Sequence, residues 1–199
     1  MRYSSEHKAE TRRHILDIAA AAFRVKGIDG IGIKDVMAEA GLTHGGFYAH
    51  FKSLDALVEA ALVHAFDAYW DDVRIKLGNV AENDRLEFLF RNYLRVGHRD
   101  SPEKACVLAT LGSEVARLPA PARVALSHKL EEVTALIAAL LPEGGGGPMR
   151  DERAAQLYAM LAGMLQMSRI AKDQDALRFT LSAAVQQALA LARAPWPEV

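Results

Sequence analysis

Two short apolar-periodic stretches, residues 33–40 and 44–50, are separated by only Gly41, Leu42 and Thr43. Three residues leave no room for a strand or an ordered loop. Two helices so joined must cross at a steep angle, as in a helix-turn-helix. The local chemistry agrees. Gly41 suits the left-handed residue that closes the first helix. Thr43 suits an N-cap whose hydroxyl accepts a bond from a first-turn amide. Leu42 and Phe47 then occupy the two positions of a hydrophobic staple. Phe47 and Phe51, four apart, point inward and leave His44, Gly45, Tyr48 and Ala49 outward. Against this stand two adjacent glycines, Gly45 and Gly46, each costing a helix about 1 kcal/mol relative to alanine.

Around this unit the periodicity is helical. Ile15, Ile18, Ala19, Ala22 and Phe23 form one stripe in a helix spanning 5–26, which Gly27 stops. Later helices are expected at 53–77, with Ser53 as N-cap, and at 82–98, 102–117, 121–141, 151–171 and 174–192. Ala and Leu are abundant and β-formers sparse, which fits an all-helical chain. The expected architecture is all-α: a three-helix head over residues 1–52 and a six-helix bundle over 53–199. The glycine run at 144–147 lacks both the preceding strand and the Gly-Lys-Ser/Thr of a phosphate loop. It reads as a flexible connection, and 194–199 as a tail.

Several function classes are disfavoured. Cys106 is the only cysteine, so no intrachain disulfide forms and a reducing cytoplasm fits. The N-terminus is polar, unlike a signal peptide, and no apolar run reaches the roughly 18 residues of a membrane span. No His-Glu-x-x-His, paired-carboxylate motif or serine elbow suggests an enzyme. His44 and His50, six apart, do not share a helix face and make a poor metal pair. No metal and no cofactor is expected. Residues 1–52 hold eight Lys/Arg against six Asp/Glu, and the remainder 16 against 19. The head therefore carries the positive charge that an anionic partner favours.

The outward head residues suit DNA. Hydroxyl and imidazole groups reach phosphates or base edges, and small residues let a helix sit deep in the major groove. Lys34 and Lys52 flank the pair as phosphate ligands. The expected DNA-binding set is Thr11, Lys34, Thr43, His44, Gly45, Gly46, Tyr48, Ala49, His50 and Lys52. With glycines at two reading positions, base specificity falls to His44, Ala49, the N-terminal arm and DNA shape.

Residues 10–60 resemble the DNA-binding domain of the TetR/AcrR family of bacterial transcriptional regulators. The resemblance rests on Thr11, Ile15, Ala19, Phe23, Gly27, Ile33, Val36, Ala40-Gly41 and Phe47-Tyr48-Ala49-His50-Phe51. It implies a homodimeric repressor on a palindromic operator, with Tyr48 and His50 on phosphates. Family members often carry Lys where this chain has Leu54, and Lys52 would partly replace that contact. The resemblance also implies a small-molecule inducer in the bundle, for which Phe66, Tyr69, Trp70, Phe90, Tyr93, Cys106 and Thr110 are the expected lining. It places a dimer interface on the last two helices, where Leu157, Leu161, Leu165, Leu181, Val185 and Ala188 are prominent among a broad apolar stripe that includes Leu177.

Cys106 admits two readings, an inert buried filler or a thiolate sensor activated by a nearby cation or helix N-terminus. The segment around it, Cys106-Val107-Leu108 with Leu111-Gly112-Ser113-Glu114, resembles a subgroup of the family that includes an electrophile-responsive repressor. The chain has Ala105 where many relatives have Gly.

Overall fold

The computed structural model describes residues 5–171 and 174–197, and for residues 174–179 the backbone alone. Every regular element among them is helical. In chain order these are α1 (Ser5–Lys26), α2 (Ile33–Glu39), a 3-10 helix (His44–Ala49), α3 (Leu54–Gly78), α4 (Arg85–Tyr93), α5 (Val96–Asp100), α6 (Leu108–Val115), α7 (Ala120–Leu140), α8 (Gly147–Ile170) and α9 (Gln174–Arg193). Short 3-10 turns at Glu82–Asp84 and Pro102–Lys104 precede α4 and α6.

Packing divides the chain into two units. The first joins residues 1–69 to 102–127, and the second joins 70–101 to 128–199. In the first, Ile15, Ala19 and Phe23 of α1 are fully buried with Val36 and Met37 of α2 and Phe47 of the 3-10 helix. Burying side chains of this size contributes about 1.5–3 kcal/mol each for the larger ones. This core holds the helix-turn-helix at its observed angle.

Two expected helices are broken. The helix expected at 82–98 ends at Leu94, and Arg95 is extended at φ −82° and ψ 152°. The break turns His98 inward, where its ring meets Tyr93 edge-on at 4.8 Å. The helix expected at 102–117 begins as a helix only at Leu108. Ala105, Cys106 and Val107 are all wholly buried. Successive helical residues point about 100° apart, so a one-sided helix cannot bury three in a row. A non-helical segment can.

The glycine run is not a loose connection. The Trp196 indole lies on it, and a Cβ on Gly144 would come within 2.6 Å of the ring. The indole N–H donates to the Glu143 carbonyl at 3.2 Å. The Arg153 guanidinium sits 3.6 Å from the Trp196 ring centroid and donates to the carbonyls of Ala194 and Pro195. Arg150 donates to the carbonyls of Ala138, Leu141, Pro142 and Gly144, capping the end of α7. The expected tail is thus a packed terminus within the second unit.

Candidate nucleic-acid interface

The turn between α2 and the 3-10 helix is closed as the sequence requires. Gly41 takes φ +69°. Its N–H donates to Ala38 and the Leu42 N–H to Met37, the paired bonds of a Schellman motif. Thr43 occupies the N-cap position with extended backbone, but its hydroxyl makes no capping bond. The Gly46 N–H is accepted by the Thr43 carbonyl instead, at 3.0 Å. The expected hydroxyl cap is therefore replaced by the tighter three-residue bond of a 3-10 turn. This tightening is why His44–Ala49 is a 3-10 helix rather than an α-helix.

The outward face is as expected from the spacing. His44, Gly45, Ala49 and Lys52 are exposed, as are Thr43 and Lys34, and Tyr48 is 63% exposed. Gly46 is half-buried. Phe47 and Phe51 are buried and stacked at 5.7 Å, and Tyr48 meets Phe47 edge-on at 5.2 Å. Neither Gly45 nor Gly46 has a positive φ. Nothing lies within 4 Å of where a Gly45 Cβ would be. Backbone strain and internal crowding therefore do not account for Gly45.

On α1 the sequence pointed only to Thr11, and Lys8 and Arg12 were missed. Lys8, Thr11 and Arg12 lie three and four apart on one face, the spacing that would have revealed them. Together with Ser5, His7, Leu42, Ala49 and His50, the first two of these line a groove of about 380 Å³. Arg12 donates from Nη1 to the His50 carbonyl at 3.0 Å, and its guanidinium sits 4.2 Å from the Phe51 centroid. Burial pushes the His50 pKa below the ordinary histidine value, and Lys8 and Arg12 lower it further. The Thr11 hydroxyl donates to the His7 carbonyl. Residues 1–4, the start of the expected N-terminal arm, lie outside the described residues.

The residues expected to line a ligand site are divided between the units. Phe66, Tyr69, Cys106 and Thr110 lie in the first unit, and Trp70, Phe90 and Tyr93 in the second. All are buried except Thr110, which is half-buried. In the second unit Trp70 stacks on Tyr93 at 5.9 Å, and both rings approach Tyr158 at 6.0 Å. The His98 Nδ1–H donates to the Tyr93 carbonyl at 2.6 Å, and burial holds the His98 pKa down at about 4. Cys106 is wholly buried and lies two residues before α6, not in the first turn of a helix. Burial lowers the pKa of Arg24 to about 10, and its guanidinium donates to the neighbouring Ala105 carbonyl at 3.0 Å.

The expected dimer contacts are buried within the single chain. Leu157, Leu161, Leu165, Leu181, Val185 and Ala188 are 0–3% exposed within a single chain. Within one chain they form core, where α8 and α9 pack on each other. The broad stripe reflects helices enclosed on more than one side. Leu177 lies outside the described side chains. The exposed line on α8 is instead Ala155, Ala159, Met167 and Ile170.

Residues 15–61 match the family described as bacterial regulatory proteins, tetR family, and residues 83–184 match the tetracyclin repressor-like C-terminal domain. The chain is 24% identical over 192 residues to the HTH-type transcriptional repressor NemR of Escherichia coli, covering 92% of this chain and 94% of that one. It superposes on the crystal structure of E. coli NemR in its reduced form with a TM-score of 0.72 at 23% identity, covering 88% and 95% of the two chains. A TetR-family regulator from Cytophaga hutchinsonii superposes with a TM-score of 0.77 at 16% identity, covering 96% and 98%. At these identities the two superpositions speak for the fold. Among the described residues no helix is long and apolar enough to cross a membrane.

Proposed function

This chain belongs to the TetR family of bacterial regulatory proteins, and we propose that it is a homodimeric cytoplasmic repressor that leaves its palindromic operator when an inducer binds or Cys106 is modified. The observation that carries the DNA reading is the exposed face of the 3-10 helix. His44, Tyr48 and Ala49 project from it, Gly45 leaves its backbone bare, and Lys8, Lys34 and Lys52 flank it with positive charge. Such a face admits close approach to a major groove, with phosphates held at the rim by Tyr48, His50, Thr11 and the lysines. Thr43 and Gly46 place backbone at the same edge.

Two heads must stand about 34–36 Å apart to enter successive major grooves. The exposed line Ala155, Ala159, Met167 and Ile170 on α8 is our assignment for the contact between copies. Its small residues allow close helix approach, and Ile170 is 77% exposed in the single chain. An isologous contact would cover it twice.

For release, the buried rings Trp70, Phe90 and Tyr93 support an apolar or aromatic inducer that opens the second unit. The alternative route runs, in the first unit, through Cys106, whose carbonyl accepts from the Thr110 hydroxyl at 3.0 Å. Full burial of Cys106 means that a reagent reaches the sulfur only when the segment opens. The relative solved in a reduced form supports an oxidation-linked reading.

The test is selection of genomic fragments by the wild-type protein, followed by mobility shifts on selected and scrambled duplexes. Selective, salt-sensitive binding by a dimer is the expected result. Equal affinity for both duplexes would sink the proposal. Release by thiol reagents that persists in Cys106→Ser would remove Cys106 from the mechanism.

A further inference from the structure

The Leu-Gly-Ser-Glu signature at 111–114 has a partner in the head. The end of α1 is closed by Gly27 at φ +81°, whose N–H returns to the Phe23 carbonyl at 2.9 Å. This is the simpler left-handed cap, which uses one return bond. In the Schellman motif that ends α2, the next amide, Leu42, also returns to its own helix. At α1 the equivalent amide, Ile28, donates instead to the Glu114 carboxylate at 2.7 Å. A Cβ on Gly27 would stand 3.3 Å from the same oxygen. Arg24, one turn back, donates from Nη1 to the Ala105 carbonyl at 3.0 Å. α1 is thus held at one end by two hydrogen bonds to the 105–114 segment. Its middle holds the recognition element: Arg12 bonds the His50 carbonyl and stacks on Phe51, and His14 donates from Nε2 to the Ala40 carbonyl at 3.3 Å. All of these residues lie in the first unit.

We propose that Glu114 and Arg24 are positioning residues for DNA binding, which act through α1 to hold the recognition helix in its binding pose. The proposal rests on the operator-binding reading above. A helix held at its C-terminal end and at its middle presents the His44–Ala49 face preorganised, so less ordering remains when DNA is bound. Freeing the Ile28 amide loosens the α1–α2 connection and lowers affinity without touching a DNA-facing side chain. The arrangement also ties Cys106 to the head: it follows Ala105 directly and is wholly buried, so any group that enters beside it displaces the carbonyl that Arg24 holds.

The experiment compares Glu114→Ala, Glu114→Gln and Val133→Ala with wild type on a duplex selected from the genome and on a scrambled one. Glutamine keeps an acceptor oxygen, and Val133 is a wholly buried residue of the other unit that controls for general destabilisation. Glu114→Ala is expected to weaken binding to the selected duplex roughly two- to thirty-fold. Amide exchange at Ile28 should quicken in the same variant. Glu114→Gln should recover affinity to within about two-fold, since a neutral acceptor still satisfies the amide. Wild-type affinity in Glu114→Ala, no recovery in Glu114→Gln, or an equal loss in Val133→Ala would each overturn the proposal. A wild-type protein that binds both duplexes equally would signal failure of the operator reading itself.

Discussion

Two regions of this protein are built from the same residue types and place them oppositely. In the head, His44 and Tyr48 are exposed on a short helix whose phenylalanines face inward. In the second unit, His98 and Tyr93 lie against each other with Trp70 and Tyr158, and His98 and Tyr93 are only 2% and 1% exposed. A tyrosine buried on all sides contributes area and ring contacts to stability. A tyrosine standing on the surface contributes little and is available to a partner. Residue type alone thus does not mark a site; the direction of the side chain does.

The largest expected effect tests this contrast by stability. Trp70→Ala should cost about 3–5 kcal/mol, the usual range for removing a buried aromatic. Tyr48→Ala should stay within about 0.5 kcal/mol, as exposed substitutions do. Chemical denaturation of both variants decides, and comparable losses would erase the distinction.

The second effect concerns pH. His98 is neutral in the folded chain, with its pKa held at about 4, and takes up a proton near 6.5 when unfolded. The unfolded state therefore binds more protons between these values, so stability falls as pH drops from 6.5 toward 4. The loss reaches on the order of 3 kcal/mol at the lower limit. Denaturation midpoints at pH 7, 5.5 and 4.5 should fall less steeply in His98→Phe than in wild type.

Two smaller effects sharpen the head's side of the comparison. Tyr48→Ala should weaken binding to a selected operator roughly tenfold, about 1.4 kcal/mol, and anisotropy titrations at fixed salt would show it. Gly45→Ala should raise stability by about 0.5–1 kcal/mol, since the glycine has no positive φ and open space beside it. The same substitution should reduce operator affinity if a backbone approach is what Gly45 serves. A variant that is both more stable and equally tight would remove that role.

Much of the head was legible in the sequence because its determinants are local. Gly41, the Phe47–Phe51 spacing and the outward His44 and Tyr48 follow from helical geometry over a few residues. Ser53 caps α3 as expected, accepting the Ala56 N–H at 3.1 Å. Less was legible where distant residues decide. Arg12 was not distinguishable from any surface arginine until its bond to His50, 38 positions away, was seen. Glu114 meets Ile28 across 86 positions, and Trp196 locks a glycine run that read as flexible. The apolar stripes of α8 and α9 were visible, but a stripe does not say whether its own chain or a second copy covers it.

The sequence by itself determined the all-helical character, the helix-turn-helix and the outward face of its second helix, since periodicity and turn chemistry act within one or two turns. Only the tertiary structure decided which helices break, where Cys106 is enclosed, and which leucines are core. Those outcomes depend on which buried surfaces meet, and a helix gives way where burying a contiguous stretch such as 105–107 outweighs the few hydrogen bonds it would have kept.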